Sequence, residues 1–147
     1  SNSDRRGFFV SLVNGDKIEV GNSDVIGVIS ARPVVVGDAN ELTWQGKYDT
    51  DDFGGLQYDM VDGKPLPRLS ANFNPTQEYI GRRHRKEWAA VGLVGKLYVR
   101  SAQALTAGTR CSSNSSGYAV SGSDFRILRV LRQPTASKHG LIEILMK

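Results

Sequence analysis

Apolar and polar positions alternate along this chain in short runs, each closed by turn-forming residues, and that rhythm predicts strands rather than helices. Residues 7–13 form an apolar run that stops at Asn14-Gly15, a pair that tolerates the positive backbone angles of a tight hairpin turn. Lys17-Ile18-Glu19-Val20 then alternates as a return strand should. After Gly21-Asn22-Ser23-Asp24, residues 25–30 are β-branched and apolar enough for a central strand; Val34-Val35-Val36 is a further short candidate between Pro33 and the turn residues Gly37-Asp38-Ala39-Asn40. Residues 91–100 read as one strand, with Val91, Leu93, Leu97 and Val99 on one face and Lys96, Tyr98 and Arg100 on the other. Gly92 and Gly95 interrupt it, which marks a bulge or the close approach of another backbone. Ala119-Val120, 125–131 and 141–146 complete the set, the last two as a pair.

The connections are long. Over 41–60, Trp44, Tyr48, Phe53 and Tyr58 stand among Gly46, Gly54 and Gly55, a pattern of irregular backbone packed over a sheet edge. Residues 61–75 carry Pro65, Pro67 and Pro75 and read as a loop, because proline has no donor for an inner ladder. Residues 101–117 are small and polar, a connection between strands. The best helical candidate, 76–88, has too few apolar residues at helical spacing for more than a turn or two. The expectation is an all-β fold in a single small domain, 1–147, of many short antiparallel strands closed as a barrel or sandwich, with long irregular loops.

Composition narrows the function classes. With 147 residues and 39% hydrophobic content, there is material for one sizeable core. Nineteen basic residues against fifteen acidic give a net charge of +4, well short of the basic stripe of a nucleic-acid binder, so no nucleic-acid partner is expected. No apolar run approaches a membrane span, and the amino end lacks the layout of a secretory signal, so no membrane partner is expected. Cys111 is the only cysteine, which rules out a disulfide within the chain; with no motif tying it to His84 or His139, it reads as a buried structural thiol.

Candidate chemistry is sparse. There is no phosphate-binding G-x-x-x-x-G-K-[ST] and no G-x-G-x-x-G. Arg82, Arg83 and Arg85, beside His84 and Lys86, are the natural place for an anion, since guanidinium forks pair bidentately with phosphate oxygens; the alternative is a solvated basic loop. Asp49, Asp51 and Asp52 alternate as calcium ligands do, but no bidentate Glu follows and no helices flank them, so no metal site is predicted. Asp4, Asp16, Glu19 and Asp24 crowd the amino-terminal quarter. Two such carboxyl groups held close can divide into acid and base, which makes Asp16 and Glu19 catalytic candidates; the alternative is turn-capping aspartates and an outward Glu19.

Longer stretches are more specific. Asp4-Arg5-Arg6-Gly7-Phe8-Phe9-Val10, Gly15-Asp16-Lys17-Ile18, Ile26-Gly27-Val28-Ile29-Ser30-Ala31, Trp44-Gln45-Gly46-Lys47-Tyr48, Asn74-Pro75-Thr76-Gln77-Glu78-Tyr79-Ile80, Glu87-Trp88 and Val91-Gly92-Leu93-Val94-Gly95-Lys96-Leu97-Tyr98-Val99-Arg100 follow one another in an order that resembles the carboxy-terminal autoprocessing domain of phage neck (preneck) appendage proteins. That family comprises intramolecular chaperones, also classed as G2-type autoproteolytic peptidases. The resemblance implies a homotrimer that brings an upstream fibre region of the same polypeptide into register and is released by one self-cleavage, with no multiple-turnover activity. It also implies action in the host cytoplasm during virion assembly and absence from the mature appendage. No cofactor is required; ATP is a candidate ligand, first sought at Arg82, Arg83 and Arg85. The family's cut lies at a Ser-Asp bond in an acidic, aromatic segment expected before residue 1. Ser3-Asp4 is superficially similar, yet Asp4-Arg5-Arg6-Gly7 matches family text further downstream. Phe125-Arg126-Ile127-Leu128 stands in place of the family's Gly-Tyr-Arg-Val-Leu pattern. Two readings of other classes stand beside this one: an acid-dependent hydrolase-like β domain cutting an external substrate, and an anion- or nucleotide-binding module built on Arg82, Arg83 and Arg85.

Overall fold

The computed structural model describes residues 4–15, 17–33, 35–37 and 46–147, and of Arg83 the backbone alone. Eleven strands run through the described residues: β1 (Phe9–Val13), β2 (Lys17–Val20), β3 (Val25–Ile29), β4 (Tyr58–Val61), β5 (Lys64–Pro67), β6 (Val91–Gly92), β7 (Gly95–Ser101), β8 (Arg110–Ser113), β9 (Ala119–Ser121), β10 (Phe125–Arg132) and β11 (Gly140–Met146). The fold is all-β, as the alternation predicted. The chain divides into two compact units, one made of Ser1–Val36 with Ala89–Lys147 and the other of Gly37–Trp88.

In the first unit, β1 and β2 form the predicted hairpin, with Val10 opposite Val20 and Val13 opposite Lys17. Between the paired Val13 and Lys17, Asn14 and Gly15 both take positive φ, at 50° and 89°, backbone that asparagine and glycine tolerate best. β3 lies antiparallel on the other side of β1 and carries β6 on its far edge, giving the order β2-β1-β3-β6. Here the sequence reading needs correction: 91–100 is two strands in two sheets. β6 ends at Gly92, Leu93 and Val94 are exposed, and the chain restarts at Gly95 with φ 101°. Backbones do approach closely, since a Cβ on Gly27 would strike the Gly92 carbonyl and one on Gly92 would strike the Leu97 side chain.

The remaining strands close a barrel in the order β10-β11-β7-β9-β8. β11 sits between β10 and β7, with Ile142 opposite Val99 and Ile144 opposite Leu97. One contact departs from the antiparallel expectation: β7 meets β9 in parallel, through Ser101 and Ala119. β8 is a second correction, because it lies inside the stretch read as a polar connection. Cys111 and Ser113 point inward and Ser112 does not; small side chains fill a narrow barrel interior, and their polarity hides the alternation that bulky residues would display.

Sheet and barrel share one core. Phe9 and Val28 bring it to the sheet side, and Val99, Cys111, Ile127, Ile142 and Ile144 to the barrel side, all essentially sealed from water. The Phe9 and Phe125 rings stack at 5.2 Å. Each such side chain contributes about 1.5–3 kcal/mol by leaving water. Hydrogen bonds splice the layers: Phe9 N–H donates to the Gly117 carbonyl at 2.9 Å, and the Ser113 hydroxyl donates to the Gly21 carbonyl at 2.8 Å.

In the second unit, β4 and β5 form an antiparallel hairpin about Asp62-Gly63, whose φ values of 51° and 75° are those of a two-residue turn whose twist matches the strands. The prolines of 61–75 predict a loop, and the hairpin corrects that expectation. In a two-stranded ribbon every strand is an edge, and Pro65 and Pro67, opposite Met60 and Tyr58, occupy positions that owe no ladder bond. Tyr48 bridges Leu69 and Thr50 bridges Leu56, extending the ribbon. The Asp51 carboxylate accepts from the N–H groups of Phe53 and Gly55 at 2.9 and 2.8 Å, so this aspartate closes its own turn. The helical candidate 76–88 contains one 3-10 turn, Arg82–His84. Val34 and Trp44 lie outside the described residues, and Val35 and Val36 are in no strand.

Candidate functional site

The amino-terminal arm ahead of β1 carries a dense set of polar bonds. Asp4 and Arg6 lie two residues apart, close enough for a local ion pair: Arg6 Nε and Nη2 donate to the two Asp4 carboxylate oxygens at 2.7 and 2.9 Å, and the Arg6 amide adds a third bond at 3.1 Å. Arg100, on β7, then fastens this loop to the barrel. Its Nη2 lies 3.1 Å from the Asp4 carboxylate and donates to the Asp4 carbonyl at 2.9 Å, while its Nε donates to the Arg6 carbonyl at 2.6 Å. The guanidinium also lies over the Phe8 ring, 4.5 Å from its centre, a cation–π contact. Backbone bonds finish the clamp: the Gly7 amide donates to the Ile29 carbonyl at 2.8 Å, and the Arg100 amide to the Gly7 carbonyl at 2.9 Å. Chain direction is thereby fixed at Asp4–Gly7.

The Arg6 side chain, foremost, and its amide and charge, with that of Arg100, hold the Asp4 carboxyl well below the usual carboxylate range against a smaller opposing effect of burial. Because the folded-state value is the depressed one, the stabilisation is complete above the ordinary aspartate value of about 3.9 and is lost as pH falls below it. Asp4→Asn is expected to cost less than about 1 kcal/mol at pH 7, given the half-exposed pair, and the gap from the parent should close toward pH 2. Urea melts of both proteins across that range check it; a constant gap would disprove the charge-based clamp.

The residues singled out from sequence fare unequally. Asp16 lies outside the described residues. Glu19 is exposed on β2, opposite Ser11. Asp24 takes φ 51° in the turn before β3, and Asp4 is engaged by the two arginines. Among the described residues, no group of three or more His, Cys, Asp and Glu stands ready for a metal ion. In the second unit, the Arg82 guanidinium lies 4.1 Å from the centre of the Trp88 ring and Arg85 lies 5.6 Å from it, with Arg85 also 3.7 Å from Glu87. Cation–π stacking thus occupies one face of each; the side chain of Arg83 is outside the description. Burial, with a smaller effect of Asp124, pushes the Cys111 thiol up to about 11, so this sulfur is a core group and not a nucleophile. Sequence reasoning missed Arg100. The available signal was its place on the polar face of a strand whose other face is apolar, but its partners Asp4 and Arg6 are distant in sequence.

Comparison with known proteins joins these observations to a family. The pre-neck appendage protein of Bacillus phage phi29 is 34% identical over 151 residues, covering 96% of this chain. The chain spans 17% of that relative's length, and likewise 17% of the pre-neck appendage protein of Bacillus phage B103, which is 30% identical over 149 residues. The crystal structure of the bacteriophage phi29 gene product 12 C-terminal fragment superposes with a TM-score of 0.79 at 31% identity, covering 97% of this chain and 91% of the fragment. Residues 1–147 match the family described as Peptidase_G2, IMC autoproteolytic cleavage domain, and the chain belongs to that family.

Proposed function

We propose that this domain is an intramolecular chaperone which trimerises, aligns the upstream part of its own polypeptide as that part folds into a phage neck-appendage fibre, and is released by a single self-cleavage ahead of residue 1. The observation that carries this reading is the clamp at Asp4–Gly7. A helper that sets the register of a preceding segment needs its junction held in one direction, and Arg100 supplies four restraints there. The family match and the superposition on a C-terminal fragment support the same placement. Physically, alignment of long β-rich chains is slowed by the entropy lost before distant contacts form, and a compact trimer at one end raises their effective concentration.

Trimer formation has its own support. A closed ring of three requires two different, complementary surfaces on each copy. The second unit exposes Phe53, at 98%, with Met60, Leu66 and Leu69 on and beside a two-stranded ribbon, and such ribbons are marginal without cover. Charge is unevenly placed: residues 37–88 hold nine carboxylates against seven Lys and Arg, and the rest of the chain six against twelve. The outer face of β7 and β10 presents Lys96, Tyr98 and Arg126. We therefore assign the ribbon of one copy to that basic face of the next. Sedimentation velocity at micromolar concentration is expected to give a trimer, and Met60→Asp with Leu66→Asp a folded monomer. A parent protein that stays monomeric at every concentration would refute trimerisation; a double variant that remains trimeric would refute this interface. For release, the domain fused to its upstream region should yield two fragments on a gel, and an intact fusion would overturn that step.

A further inference from the structure

Gly37–Trp88 is an insertion between two strands that pair with each other. β3 and β6 run antiparallel with Ile29 opposite Val91, and the ladder continues one step further, the Ser30 amide donating to the Ala90 carbonyl at 2.9 Å. A two-residue turn could close that pair as an ordinary hairpin. The core makes no use of the insertion either. Every residue of the buried cluster, from Phe9 and Val28 to Ile144 and Met146, lies outside it.

The insertion has no core of its own. Among the described residues, none of 46–88 is buried. Its shape rests on backbone bonds that close a ring: the Asp49 amide donates to the Arg68 carbonyl at 2.9 Å, the Arg68 amide to the Gln57 carbonyl at 2.8 Å, and the Gln57 amide to the Asp49 carbonyl at 3.0 Å. Such bonds replace bonds to water and contribute little net, while the entropy of fixing the backbone opposes them at every residue. Small units in that position are held by a disulfide, a metal or a partner. The single cysteine, Cys111, lies outside the insertion, and the described residues offer no cluster of metal-ligating side chains. That leaves a partner.

The barrel presents a matching surface. One row across four strands runs Lys96 on β7, Leu145 on β11, Arg126 on β10 and Arg110 on β8. Three cations flank one apolar residue, and Arg126 stands directly opposite Arg110, a like-charge pairing that sheets disfavour. The insertion, with nine carboxylates against seven Lys and Arg and with Phe53 and Met60 exposed, offers both the charge and the apolar surface this row lacks. We propose that the insertion is a docking module whose folding is completed by assembly: the barrel unit reaches its structure alone, and the ribbon becomes stable when it lies on the cationic row of a second copy of this chain. The inference rests on the trimer reading above and adds to it which unit folds first and which is stabilised by the partner.

The test uses the full chain, with amide exchange followed by mass spectrometry over a range of protein concentrations and sedimentation run in parallel. The Arg68 and Ser70 amides, both bonded within the insertion, are expected to exchange about a hundredfold more slowly once the free copy stands at about 100 times its dissociation constant. The Phe9 and Ile127 amides of the barrel unit should keep one rate throughout. Lys96→Glu with Arg126→Glu should give a folded monomer whose Arg68 amide exchanges at the dilute rate, and joining Ser30 to Ala90 through Asn-Gly a folded monomer whose Phe9 amide is as protected as in the parent. A parent that trimerises while Arg68 exchanges equally fast dilute and assembled would overturn this inference and leave the trimer standing; a parent that never trimerises would overturn both. Assembly of the Lys96, Arg126 variant with Arg68 protected would remove the cationic row as the receiving face. Equal loss of protection at Phe9 and Arg68 on dilution of the parent would refute the independence of the barrel unit, whether or not the shortened chain folds. Arg68 protected in a monomeric fusion with the upstream region would assign the cover to that region and overturn the second copy.

Discussion

Phe9→Ala is expected to lower the free energy of unfolding by about 3–5 kcal/mol, a large part of the 5–15 kcal/mol typical of a folded domain. Phe9 is fully buried, stacks on Phe125, and sits on β1 with neighbours on both sides, so its removal opens a cavity where sheet and barrel meet. The surrounding residues cannot collapse freely, because Val28 is held in the ladder of β3 and Cys111 in β8. Urea denaturation followed by far-ultraviolet circular dichroism reads the loss. A change below about 1 kcal/mol, the range of an exposed site, would mean that Phe9 does not join the two layers. Phe9→Leu, which keeps most of the volume, should recover much of the difference.

Gly117→Ala should be nearly as damaging, at about 3 kcal/mol, although it adds a single methyl group. Gly117 has φ 73°, a conformation that costs an alanine about 1–2 kcal/mol. The added carbon would also lie 2.9 Å from the Phe9 carbonyl oxygen and collide with the Val20 side chain. Relief would require the loop to lift off β1, breaking the bond between the Phe9 amide and the Gly117 carbonyl. Thermal melts measure the loss, and amide exchange at Phe9 identifies its cause: the amide should exchange faster in the variant. Unchanged exchange with lowered stability would place the damage elsewhere.

What was legible beforehand follows the physics of each segment. Asn14-Gly15 between an apolar run and the alternating Lys17-Ile18-Glu19-Val20 carried the hairpin, since local geometry suffices for a turn. Asp62-Gly63 carried the same signal, but the prolines beside it drew the reading toward a loop, and whether a strand can tolerate proline depends on having a free edge. β8 was hidden because its inward residues are Cys111 and Ser113, sized for a barrel interior that composition does not reveal. The break at Gly95 was visible as an interruption, while its consequence, two strands in different sheets, required the partners β3 and β11. Of the site, Asp4 was noticed as one acid among several. Its pairing with Arg100 is a long-range contact across the layers of the first unit, and residue spacing holds no trace of it.

The place of β11 has a consequence for timing. It pairs with β7 on one side and β10 on the other, yet translation delivers it after every other strand described here. At 5–20 residues per second, roughly 2–9 s separate the synthesis of β7 from that of β11. Through that interval β7 lacks its antiparallel neighbour and the barrel stays open, so all sequence ahead of β7 has been synthesised before the structure that grips Asp4 is complete.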